Sequence, residues 1–169
     1  RDAIAMARSL MPFTLDGVAA GSRARRGRVT TAHGVIETPV FMPVGTRGTV
    51  RTQTLGQLAA LDPAIILGNT YHLMVRPGLD AMRAVGGLHR FMQWGRALLT
   101  DSGGFQIFSL PGARQMGEAG AEFKSYADGQ RLLLSPERSI EMQLAIGSDI
   151  MMVLDQCIDS TSPHAAAEA

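Results

Sequence analysis

Four short apolar runs, each stopping at glycine or a polar residue, constrain the fold of this chain more than any other feature. Phe41-Met42-Pro43-Val44 stops at Gly45-Thr46, and Ala64-Ile65-Ile66-Leu67 stops at Gly68-Asn69-Thr70. Leu98-Leu99 runs into Thr100-Asp101-Ser102, and Asp149-Ile150-Met151-Met152-Val153-Leu154 into Asp155-Gln156-Cys157. All are too short for a helix and lack polar alternation, the pattern of parallel strands covered on both faces. Helix signals lie between and after them. Thr54-Leu55-Gly56-Gln57 reads as a capping box. Ser135-Pro136 reads as a helix start followed by the apolar stripe Ile140, Leu144 and Ala145. Ser162-Pro163 opens one more helix.

This alternation predicts parallel βαβ units with right-handed crossovers. A (β/α)8 barrel and a doubly wound sheet share that local pattern. The barrel is the reading taken, because no Gly-x-Gly-x-x-Gly follows the first strand and no phosphate loop occurs. Reactive groups of such barrels gather at the C-terminal ends of the strands, where Asn69, Asp101 and Asp155 stand. A complete barrel takes roughly 250 residues, so 169 residues with four core strands predict its N-terminal half. Residues 1–12 read as a tail or leader remnant and 13–169 as the domain portion. Val29 to Ile36 predict a hairpin turning at His33-Gly34, placed to plug the barrel floor.

No run is long enough to span a bilayer, and the 46% apolar content is ordinary for a globular domain. The chain reads as soluble and cytoplasmic. Its one cysteine leaves neither a disulfide framework nor a cysteine-rich zinc site within these residues. A net charge of +1 neither requires nor forbids nucleic acid. The dense basic cluster Arg23, Arg25, Arg26 and Arg28 either contacts phosphates or is simply solvated.

Asp101-Ser102-Gly103-Gly104-Phe105 carries the most chemistry. Paired glycines leave room for a flat ligand beside bare peptide groups, and Phe105 offers a face to stack on it. A tight turn capped by an aspartate is the equally plain alternative.

Several segments resemble the tRNA-guanine transglycosylase family in order along the chain, from about Phe13 to Cys157. They are Phe41 to Thr46, Leu67 to Leu73, Arg76-Pro77-Gly78, Phe91 to Trp94, Leu99 to Gln106, and Gly147 to Met152. The resemblance implies an irregular (β/α)8 barrel with a zinc subdomain, acting as a homodimer on tRNA. It further implies exchange of the wobble guanine for a 7-deazaguanine through a covalent ribosyl-enzyme intermediate, in queuosine biosynthesis. Bacterial members insert 7-aminomethyl-7-deazaguanine and eukaryotic members queuine. The nucleophilic aspartate and the structural zinc ligands belong to the second half of that barrel, beyond residue 169. The nucleophile is therefore absent from this chain, and these residues alone are expected to be inactive.

By the same resemblance Asp101 is the proton acceptor and donor for the exchanging base. Ser102, Gly103 and Gly104 let backbone approach the base, and Phe105 stacks on it where the family varies between Tyr and Phe. Asp155 matches the base-recognition aspartate, whose acceptors complement the adjacent N–H donors of guanine; a helix cap is its alternative. Asn69 matches a neighbour of the catalytic carboxylate, or else bonds local backbone. Cys157 follows the bacterial pattern, or is a small buried hydrophobe. Gln156 departs from the family's usual Glu and removes a negative charge beside the base. Two other functions fit the residues: a non-catalytic RNA-binding or dimerising unit, and an unrelated barrel enzyme acting on a small metabolite.

Overall fold

A computed structural model describes residues 13–109 and 115–168; the tail assigned to residues 1–12 lies outside them. The hairpin expected at His33-Gly34 joins β2 (Arg25–Thr31) to β3 (Gly34–Thr38), and β1 (Phe13–Val18) extends it to an antiparallel sheet ordered β1-β2-β3. The basic cluster is exposed on β2 and the turn before it. Arg28 is held by both oxygens of Asp16 at 2.9 Å, so it already has an anionic partner.

The central sheet is parallel, with order β4 (Ile65–Gly68), β5 (Ala97–Thr100), β9 (Ile150–Met151). Two of the four expected strands are shorter than the apolar runs suggested. Of residues 41–44 only Val44 pairs, as an isolated parallel bridge to Leu67. Pro43 has no N–H to give a ladder, though its carbonyl takes the Leu67 N–H at 3.0 Å. The run 149–154 leaves the sheet after Met151, because Gln143 takes both peptide groups of Met152 at 2.9 Å. The parallel strands form an open three-stranded sheet, and no closed barrel exists among the described residues.

The capping box forms as read. Thr54 Oγ1 accepts the Gln57 N–H, and Gln57 Oε1 accepts the Thr54 N–H, opening α1 (Leu55–Leu61). Between β4 and β5 run α2 (Thr70–Val75), α3 (Leu79–Val85) and α4 (Leu88–Met92), and α5 (Gly104–Ser109) follows β5. An antiparallel meander then follows: β6 (Gln115–Gly117), β7 (Gly120–Lys124) and β8 (Arg131–Leu134). Ser135 caps α6 (Pro136–Ile146) by accepting the Arg138 N–H, with Pro136 in the first turn. The last element among the described residues is α7 (His164–Glu168), as Ser162-Pro163 predicted.

The buried stripe of α6 corrects the expectation. Leu144 is 64% exposed, and the residues facing inward are Ser139, Met142, Gln143 and Ile146. A hydropathy pattern passes over buried polar residues whose hydrogen bonds are met inside, and two of these four are of that kind.

Helices α2, α3, α4 and α6 pack against β4 and β5 in the main core, where Leu73, Met82, Leu88, Leu98, Met142 and Ile146 are sealed from solvent. Trp94 belongs to this core, and its indole N–H donates to the Ala97 carbonyl at 3.2 Å. A second, smaller cluster joins the two sheets: Ile36 of β3 packs with Ile65 and Ala97, the first residues of β4 and β5. The N-terminal sheet therefore covers the end of the parallel sheet opposite Asn69 and Asp101. His33 at its tip is tied there by Asp149, whose buried carboxylate accepts from His33 Nδ1 at 2.8 Å and from the Leu98 N–H at 2.9 Å.

Candidate active site

Parallel pairing of Leu67 with Leu99 and of Gly68 with Thr100 brings the ends of β4 and β5 level. Asn69 and Asp101 are thereby adjacent. The Asn69 amide donates to Asp101 Oδ2, and the Thr70 N–H donates to Oδ1 at 2.8 Å. The Thr70 hydroxyl closes the turn on the Asp101 carbonyl at 2.5 Å. Asn69 stands at the N-terminal end of α2 without capping it; its side chain serves the carboxylate rather than local backbone.

Asp101 faces two opposed influences. Burial lifts its pKa, and this outweighs the N–H of Thr70, the amides of Asn69 and Gln106, and the nearby His72, all of which draw it down. The net direction is upward. The Gln106 Oε1, by contrast, has no partner among the described residues.

The Asp101-to-Phe105 segment is a turn of three residues followed at once by α5. Gly103 has φ of +89°, a region that costs an L side chain, and a Cβ there would come within 2.9 Å of Leu134. At Gly104 the limit is space. A Cβ would lie 2.4 Å from the Asp155 carbonyl oxygen and 2.8 Å from its Oδ1. Gly104 thus admits the Asp155 segment against the turn after β5, and Gly103 lets that turn close on Leu134 and Tyr71. Ser102 completes the link: its buried hydroxyl donates to Asp155 Oδ1 at 2.5 Å and accepts the Gly104 N–H at 3.1 Å.

Among the described residues Asp155 caps no helix. Its carboxyl is held below the ordinary carboxylate range, chiefly by the Ser102 hydroxyl, against a smaller desolvation. The Cys157 thiol donates to its other oxygen at 3.5 Å, and burial raises that thiol's pKa. Gly104, Ile107, Leu154, Asp155 and Gln156 wall a cleft of ≈ 380 Å³, completed by the meander at Glu118 and Ala121. The cleft lies on the Asp155 side, and Asp101 is not among its walls. Phe105, 59% exposed, stands free at the start of α5. On the Asp101 side, His72 Nδ1 is 3.3 Å from the Tyr126 hydroxyl, and the Arg47 guanidinium lies 5.1 Å from the Tyr126 ring.

Asn69, Asp101, Ser102, Gly103, Gly104, Asp155 and Cys157 are thus brought together, and Gln156 joins them at the cleft wall. Three participants carry no signal in hydropathy. Thr70 acts through its backbone N–H, Gln106 through an amide two residues inside a helix, and Gln143 from within α6. A buried amide on a helix face flanked by Met142 and Ile146 is the one clue that was legible for the last.

Chemically, an acceptor-only carboxylate held below the ordinary range by Ser102, with a second carboxyl of raised pKa at the residue before Ser102, suits a ligand that presents N–H donors and exchanges a proton. Residues 20–169 match the family model described as queuine tRNA-ribosyltransferase. A protein of that name from Natranaerobius thermophilus is 57% identical over 145 residues, covering 86% of this chain and 39% of its own length. Another, from Desulforapulum autotrophicum, is 54% identical over 149 residues, covering 88% and 40%. A third, from Bacillus subtilis, is 57% identical over 134 residues, covering 79% and 35%. The chain therefore spans about two fifths or less of the length of these curated relatives. With the family match running from residue 20 to residue 169, the chain belongs to the queuine tRNA-ribosyltransferase family.

Proposed function

We propose that this site receives guanine or a 7-deazaguanine, and that the full-length protein exchanges such a base with the wobble guanine of tRNA. The observation that carries the reading is the divergence of two carboxyls linked through Ser102, which follows Asp101 and bonds Asp155. Asp155 is held ionised by Ser102, while burial lifts Asp101. Environments that push two carboxyl pKa values apart separate a fixed-charge role from a proton-transfer role. An ionised Asp155 accepts from the paired N–H donors of the guanine edge, which adenine does not present. Asp101, with its raised pKa, gives a proton to the departing base and takes one from the incoming base.

Three further parts rest on the resemblance. The nucleophile that attacks the ribose comes from the portion of the relatives' length that this chain does not span. The fold closes as a (β/α)8 barrel, a reading supported by the parallel order β4-β5-β9 with Val44 bridging β4. The third part is structural zinc, and it finds no fit among the described residues. His33, His89 and Asp149 lie close enough to share an ion, but the two imidazoles stack 3.7 Å apart and 15° from parallel. Rings in that arrangement cannot both aim a nitrogen at one ion.

Incorporation of labelled guanine into unmodified tRNA by the full-length protein tests the reading. Sustained turnover supports it; retention of tRNA without turnover would leave an RNA-binding unit instead. Asp155→Ala is expected to weaken guanine binding by roughly 1.5–3 kcal/mol, or about 10- to 150-fold. The tRNA is held through phosphates as well and should lose less. Calorimetry with the free base checks this, and unchanged affinity would remove Asp155 from base recognition.

A further inference from the structure

Gln143 lies on α6, fully buried, and uses all of its hydrogen-bonding capacity. Its Oε1 accepts the Met152 N–H at 2.9 Å and the Thr100 hydroxyl at 2.9 Å. Its Nε2 donates to the Met152 carbonyl at 2.9 Å and to Ser139 Oγ at 3.1 Å. The backbone of Met152 settles which end of the amide is which, since a peptide N–H only donates and a peptide carbonyl only accepts. The hydroxyl directions follow from that. Thr100 spends its one proton on Gln143, so Ser148, 2.6 Å away, must donate to Thr100. Ser139 receives the amide and therefore donates to the Ser102 carbonyl at 2.7 Å.

Each partner stands next to a site residue. Thr100 immediately precedes Asp101. Ser102, whose carbonyl ends the chain of bonds, also holds Asp155 through its hydroxyl. Met152 lies three residues before Asp155, at the point where the chain leaves the sheet. No strand ladder fixes residues 152–155 among the described residues, so the grip of Gln143 on Met152 replaces it. Resting on the base-exchange reading above, we propose that Gln143 is a positioning residue that fixes the Asp155 segment against the Asp101–Ser102 turn. Through Thr100 and Ser139 it sets where the base edge is met relative to the group that moves the proton.

Gln143→Leu keeps the bulk of the side chain and deletes all four hydrogen bonds. Thr100→Val deletes one of them, and Thr100→Ser retains it. In the full-length protein, Gln143→Leu should lower kcat/KM for guanine roughly 10- to 100-fold, as expected of a misplaced reacting group. The KM for tRNA should stay near wild type. Thr100→Val should move the same way to a smaller extent, with Thr100→Ser close to wild type. A second readout does not depend on turnover. In protein labelled with [13C]aspartate, the Asp155 carboxyl should titrate higher in Gln143→Leu than in wild type, because the Ser102 hydroxyl no longer holds it in place. A folded Gln143→Leu protein with wild-type guanine kinetics and an unmoved Asp155 titration overturns the proposal. Should Gln143→Leu not fold, wild-type kinetics and Asp155 titration in Thr100→Val overturn it equally. If the wild-type protein exchanges no guanine at all, the base-exchange reading falls, and the Asp155 titration still decides whether Gln143 positions that segment.

Discussion

Asp101→Asn in the full-length protein is expected to cut guanine exchange roughly 10²–10⁴-fold, the usual worth of a positioned proton-transfer group. Binding of tRNA should change little, since phosphate contacts carry most of it. Geometry survives the substitution better than chemistry does. An asparagine oxygen still accepts the Thr70 N–H, and a flip of the Asn69 amide offers an oxygen to the new NH2 group. The lost function is the movable proton.

Stability should respond in the opposite sense. Burial places the folded-state pKa of Asp101 above its ordinary value. The stabilisation linked to that shift is complete below the ordinary carboxylate range and is lost as pH rises through the raised value. At neutral pH the wild type therefore keeps an ionised carboxyl at a cost that asparagine does not carry. The variant should unfold at a denaturant midpoint no lower than wild type at neutral pH. Any advantage should shrink as pH falls through the raised value and be gone below the ordinary carboxylate range. Exchange within threefold of wild type would remove Asp101 from proton transfer.

Leu134→Ala should be the most destabilising of the substitutions considered, by about 2–5 kcal/mol. Leu134 ends β8, has no exposed surface, and belongs to the core that holds Tyr71, Phe123 and Met142. It is also the floor beneath Gly103, the position where a Cβ would strike its side chain. Truncation opens a cavity directly under the turn after β5, where relaxation is limited by the Ser139 bond to the Ser102 carbonyl. Urea unfolding followed by circular dichroism measures the loss. A cost below about 1 kcal/mol would show that the turn collapses into the space.

How much of this was legible in the sequence depends on which physical signal each element carries. The capping box at Thr54 and the Ser135-Pro136 start are local chemistry, and both form as read. Ile65 to Leu67 and Leu98-Leu99 lie in β4 and β5, where the two core clusters cover them. The runs at 41–44 and 149–154 look similar by hydropathy and differ in what takes their peptide groups. Proline removes a donor from the first, and Gln143 draws Met152 out of the second. The meander of β6 to β8 was not anticipated, although Ala121 and Phe123 are buried and alternate with exposed Glu122 and Lys124. That period of two was present, in a segment too short and glycine-rich to stand out. At the site, Asp101 and Asp155 were visible as polar residues ending apolar runs. The groups that hold them were not, because a backbone N–H at Thr70 and a buried amide at Gln143 acquire meaning only once strands and helix are packed.

The single tryptophan of this chain has a practical consequence. Trp94 is 6% exposed and is anchored by its indole N–H to the first residue of β5. All tryptophan emission of the chain therefore originates from one dry position at the foot of the strand whose far end bears Asp101. Such an indole emits toward the blue while the core is closed and shifts to the red when water reaches it. The chain carries its own optical gauge, and the state of that strand can be followed through folding, urea or added base without attaching a label.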